Sequence, residues 1–142
     1  MAIADGDIVS LFASNSVGPA PRLRGTIRNI AAAKGDVFWE NGDVAMAVSV
    51  VDLFKVSFAV PAAAQAFVGQ SIKSGAAQEI QGVVLEAYIG ESDGGVKFGH
   101  LIVLLTGRGQ GSPTCFIDSE TKPDFSDAPL KFIITTNVYP RY

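Results

Sequence analysis

Residues 35–56, "GDVFWENGDVAMAVSVVDLFKV", decide how the first part of this chain folds. Two alternating apolar runs, "DVFWE" and "DVAMAVSV", flank Asn41-Gly42. Asn-Gly tolerates positive φ at both central positions of a type I′ turn, so the spacing predicts a tight hairpin at that point. Alternation puts Phe38 and Trp39 on opposite faces of the first strand, and one of them must face the core. "VDLF" is too short for an α-helix; its Asp52 suits the cap of a single 3₁₀ turn before "KVSFAV" resumes an extended alternation.

On the N-terminal side, "GDIVSLF" reads as a short strand after an Asp-Gly turn, and "SNSVGPAP" as a long loop. In "RLRGTIRNI", Leu23, Gly25, Ile27 and Asn29 share one face, and Arg22, Arg24, Thr26, Arg28 and Ile30 the other. This pattern predicts a half-solvated strand with Arg22, Arg24 and Arg28 facing water together. On the C-terminal side, "PAAAQAFVGQSIKSGAAQ" mixes helix-favouring Ala with Pro61, Gly69 and Gly75, which leaves at most a short helix or a loose connector. Beyond it, "EIQGVVLEAYI" and "KFGHLIVLLT" are apolar strands around a "GESDGG" hairpin loop. "TCFID" and "LKFIITTNVY" add strand candidates, and "SETKPDFSDAP" between them reads as a polar loop or arm.

The succession "GDIVSL", long loop, "RGTIRNI", "GDVFWENG", "VAMAVSV", one-turn "VDLF" and closing "KVSFAV" resembles the SH3-like small barrel, in particular its KOW and Tudor relatives, over about residues 5–60. That resemblance implies a fold and leaves function open. The expected fold class is therefore mainly β: an SH3-like barrel in residues 1–60, and in residues 61–142 a connector, an additional β region and a long polar loop or arm, packed with the first part as one unit.

The 142 residues suffice for one ordinary core. Apolar residues make up 48% and charged ones 18%, below the usual quarter, so much of the surface is small, neutral or covered by other protein. A formal charge of −3 and only 11 scattered Lys and Arg argue against a mainly electrostatic nucleic-acid binder. Cys115 is the single cysteine, which excludes an internal disulfide and a cysteine-rich zinc site. Acidic residues near the start argue against a targeting peptide, and the longest apolar runs are strand-sized, so no membrane association is expected.

Few residues offer chemistry. His100, the only histidine, has no nucleophile or second ligand beside it in sequence, and a structural role is expected. Cys115, followed by Phe116 and Ile117, reads as a small buried residue. "GRGQG", residues 107–111 with Arg108, lacks the Lys-Ser/Thr and the helix of a phosphate loop and reads as a hairpin tip. Asp118, Glu120, Asp124 and Asp127 have no cation-loop spacing, and Lys122 lies among them, so a solvated loop is expected. Trp39, Phe38, Phe54 and Phe58 suggest an aromatic cage for a methylated cation, against which core filling is preferred.

No cofactor or metal is expected, and no catalytic residue. Small, neutral Ala-, Gly- and Val-rich β-proteins with loops and an open tail resemble accessory components of tailed-phage particles, such as capsid decoration or head-tail joining proteins. This likeness of general character implies a non-enzymatic structural protein of the virion, assembled in the host cytoplasm. Its partners would be other subunits such as a major capsid or connector protein, in a homo- or hetero-oligomer. Arg22, Arg24 and Arg28 and the terminal Tyr139 and Tyr142 are the expected partner-binding residues, the tyrosines because a large ring with a polar tip suits an interface. Two other classes stay open: a binding module for a peptide, a modified side chain or RNA, and a small enzyme using His100 or the acidic loop.

Overall fold

A computed structural model describes residues 2–12, 17–18, 23–74, 81–105, 116–128 and 132–134. The elements are β1 (Ile8–Leu11), β2 (Val17–Gly18), β3 (Arg24–Ala31), β4 (Lys34–Trp39), β5 (Val44–Ser49), a 3₁₀ turn (Val50–Asp52), β6 (Leu53–Ser57), the four-residue helix α1 (Ala62–Gln65), β7 (Ser71–Ser74), β8 (Gln81–Ser92), β9 (Lys97–Leu105), β10 (Phe116–Thr121) and β11 (Phe132–Ile134). The protein is mainly β with almost no helix. All strands belong to one antiparallel sheet whose main path runs β2-β10-β9-β8-β6-β1-β3-β4-β5, with β7 bridging β8 and β11 beside it.

The sheet is open, and the small barrel expected over residues 1–60 does not close. The strands β1 and β3–β6 and a one-turn 3₁₀ element before β6 follow the expected succession along the chain, but the turn runs Val50–Asp52, so Asp52 is its last residue and not its cap, and Leu53 and Phe54 already belong to β6. Closure would require a free edge on β6. One edge of β6 carries β1 through Val9↔Lys55, and the other carries β8 through Phe54↔Ser92 to Ser57↔Ile89. A strand has only two hydrogen-bonding edges, so β5 is left at the end of the sheet.

Three apolar clusters stabilise this sheet. Val9, Ile27, Val37, Trp39, Val50 and Leu53 form the core of the N-terminal strands. Val84, Ala87, Leu101 and Val103 pack with Ala64 of α1 and with Phe125 and Ala128. Phe54, Val56, Tyr88 and Ile102 form a third cluster where β6 meets β8 and β9. Phe125 corrects the expected open arm: it is fully buried, although its neighbours are polar. Around it Asp127 accepts the Lys122 N–H and Asp124 accepts the Ser126 N–H, so residues 122–128 form a folded loop anchored by one ring.

The hairpin at Asn41-Gly42 is present, but its turn differs from the expected type. Only Gly42 of the pair has positive φ (97°). Its N–H donates to the Trp39 carbonyl and the Trp39 N–H donates to the Asp43 carbonyl, which defines a three-residue loop ending in a left-handed glycine and a bulge. Asn41 accepts the Asp43 N–H through its side chain and holds the loop in that form. The two-residue loop with positive φ at both positions lies one hairpin earlier, at Ala32 (52°) and Ala33 (61°), between the paired Ala31 and Lys34.

Candidate functional site

The register of the sheet places the candidate residues on its two faces. Pairs across the N-terminal strands are Phe38↔Val44, Thr26↔Phe38 and Ile8↔Thr26. Cross-strand partners point to the same side, so Val44, Phe38, Thr26 and Ile8 form one row that runs inward from the free edge. Along the row Val44, Phe38 and Ile8 are exposed, as are Phe58 and, on β5, Met46; Val44 is 51% and Met46 70% accessible. Ile8, Phe38 and Phe58 wall a shallow groove of about 280 Å³ with Arg24, Thr26 and Glu40.

The sheet's alternation separates the four rings weighed as a cage. Trp39 and Phe54 are buried in different clusters, whereas Phe38 and Phe58 stay exposed. Nor do the arginines face water together. Arg24 forms an ion pair with Glu86 of β8, and its guanidinium carbon lies 5.0 Å from the Phe58 ring centre and 4.9 Å from that of Tyr88. A planar cation fits over aromatic faces while its edge donates to a carboxylate, which explains why this arginine turns inward. Arg28 is exposed, with its guanidinium beside Gly6. Arg22, Tyr139, Tyr142, Cys115 and the 107–111 segment with Arg108 lie outside the described residues.

His100 has a partner that its sequence neighbourhood does not reveal. Its Nδ1 lies 2.5 Å from Asp118 Oδ1, and the Tyr88 hydroxyl donates to Asp118 Oδ2, also at 2.5 Å. The His100 and Asp118 side chains are only 4% and 1% accessible. The imidazole stacks on Tyr88 (centroids 4.5 Å apart) and Phe54 (5.5 Å), with the Phe98 ring edge-on at 5.1 Å. Gly90 leaves room for this stack, because a Cβ there would sit 2.6 Å from Phe98 and 3.1 Å from His100 Nε2. Among the described residues no group hydrogen-bonds Nε2, and the unit ties β8, β9 and β10 together.

The acidic residues separate in the same way. Asp118 belongs to the buried unit, Glu120 is exposed, and Asp124 and Asp127 cap loop N–H groups. Ser126 holds the Asp124 carboxyl below its ordinary value of 3.8, first through its side chain and then through its backbone N–H. Among the described residues no three His, Cys, Asp or Glu side chains gather as a metal site. A second hollow, of about 300 Å³, is lined by Lys55, Ser57, Ile89, Glu91, Lys97 and Pro123. No helix among the described residues is long and apolar enough to cross a membrane. No protein-family model matches the chain, and no curated protein matches it in sequence.

Proposed function

We propose that this chain is a non-enzymatic structural protein that acts by assembly with other protein subunits, as a virion component of a tailed phage such as a capsid decoration or head-tail joining protein. The observation that carries this reading is the exposed apolar row Val44, Phe38 and Ile8, continuous with the outer edge of β5, which no strand among the described residues pairs. An apolar row beside open backbone donors and acceptors is suited to receive another strand. The low charge fraction of 18% supports the same reading, since interface centres are depleted of charge. In this reading the N-terminal strands are an SH3-like unit held open by β8, and many weak contacts repeated over a particle surface give firm attachment through avidity.

The test is to purify particles from the source by density gradient and quantify this chain in them by mass spectrometry. A fixed copy number per particle is the expected result, and its absence from intact particles contradicts the reading. The groove between Phe38 and Phe58 favours a second reading, a module that captures an apolar peptide side chain. Saturable binding of short peptides by a chain that never enters particles would favour that module.

A further inference from the structure

Three features offer more than packing: the buried histidine unit, the Lys55–Lys97 hollow and the free edge of β5. The last carries furthest, because its backbone pattern specifies a partner. Trp39 and Asp43 are hydrogen-bonded across the hairpin, and the pairs Phe38↔Val44 and Val37↔Ala45 follow. In an antiparallel ladder bonded and non-bonded pairs alternate, so the Ala45 N–H and C=O face β4 whereas those of Val44 and Met46 point outward. The pairing shifts register between Gly35 and Val37, and Ala47 opposite has φ 54° and donates its N–H to Asp36 Oδ1. This bulge ends the regular edge just after Met46. What remains is a short edge with two outward residues, both apolar and exposed, and no Lys, Glu, Asp or Pro from residue 44 to residue 49 to oppose pairing.

We infer that, resting on the assembly reading, the occupant of this edge is a second copy of the same chain, paired antiparallel about a two-fold axis through Ala45. That register sets Val44 opposite Met46 of the other copy and Met46 opposite its Val44. Each of the two pairs exchanges both of its outward N–H and C=O groups, so four backbone hydrogen bonds form. Ala45 meets Ala45 on the opposite face, where a methyl group is small enough for close approach. The two rows, each running Ile8, Thr26, Phe38, Val44, meet end to end on one side of a continuous sheet, with Val44 of each copy beside Met46 of the other. Self-pairing brings no like charges together, because the edge carries none.

The test is sedimentation equilibrium of the full chain and two double variants, each checked for its native circular dichroism and cooperative melting. The wild type is expected to show a concentration-dependent monomer–dimer equilibrium. V44E/M46E, which sets glutamate against glutamate twice, is expected to weaken dimerisation by about tenfold or more, whereas V44E/M46K, which sets glutamate against lysine twice, restores it toward the wild-type value. A wild type that stays monomeric at high micromolar concentration, or two variants that weaken association equally, overturns the inference. Monomeric chain found at fixed copy number in particles would remove this inference and leave the assembly reading standing. A register-specific dimer missing from every particle would do the reverse.

Discussion

The N-terminal strands β1 and β3–β6 and the C-terminal strands β7–β11 share one sheet but are specified by different means. The first set is short, closely connected and built mainly around apolar side chains, among them Val9, Ile27, Val37 and Leu53, with one buried hydroxyl, Ser10, donating to the Leu23 carbonyl. The second contains the long strands β8 and β9, of 12 and 9 residues, and buries the Tyr88–Asp118–His100 unit. Apolar groups of similar volume can substitute for one another, whereas a buried carboxylate demands particular donors in particular places. The N-terminal set should therefore tolerate core exchange, and the C-terminal set should not tolerate loss of one polar partner.

Two core replacements break or uphold this contrast, with the largest expected effects. His100→Ala removes the aromatic stack and leaves a buried carboxylate without one of its donors, and is expected to destabilise by about 3–5 kcal/mol. Val37→Ala, at an equally buried but apolar site, is expected to cost about 2 kcal/mol. Urea unfolding of both variants measures the difference; equal losses would remove the distinction between the regions.

Asp36 is a polar support within the N-terminal set. Its carboxylate accepts the Asn29 side-chain N–H and the Ala47 backbone N–H, and both of those residues have positive φ at irregular points of the flanking strands. One residue of β4 thus supports a bulge on each side. Asp36→Ala is expected to lower stability by about 1–2 kcal/mol and to leave the C-terminal amides as protected from exchange as before. Loss of protection throughout β8 and β9 would show that the two regions unfold as one.

A smaller effect, of opposite sign, is expected at the Ala32–Ala33 turn. Alanine is strained at positive φ, so A32N/A33G is expected to raise stability by about 0.5–1 kcal/mol, read as an upward shift of the thermal midpoint. An unchanged or lowered midpoint would mean that this turn is relaxed with alanine in place.

These positions also show how far the sequence could be read. Alternation locates the strands around Asn41-Gly42, and apolar runs locate those around the "GESDGG" loop; the observed β4, β5, β8 and β9 lie at these places. Turn type was not legible: Asn-Gly suits several loops, and Ala-Ala carries no turn signal. Barrel closure is not legible locally because it depends on whether β6 has a free edge, which its pairing with the distant β8 decides. The His100–Asp118 contact spans 18 residues and exists only through the β9–β10 register, in which Glu120 lies opposite His100. Arg24 reaches Glu86 across 62 residues, beyond any local pattern. Phe125 was the one legible sign of an ordered loop, a lone ring among polar neighbours.

The free edge of β5 is where fold and proposed function meet, and residue-resolved amide exchange at Val44, Ala45 and Met46 tests it most directly. In dilute chain the Val44 and Met46 amides are expected to exchange fast and the Ala45 amide slowly, since only Ala45 faces β4. As concentration rises, or as the chain enters particles, Val44 and Met46 are expected to become protected together. Protection of both amides at every dilution would mean that the edge is already covered within one chain. Fast exchange of both in the assembled state would mean that assembly uses another surface.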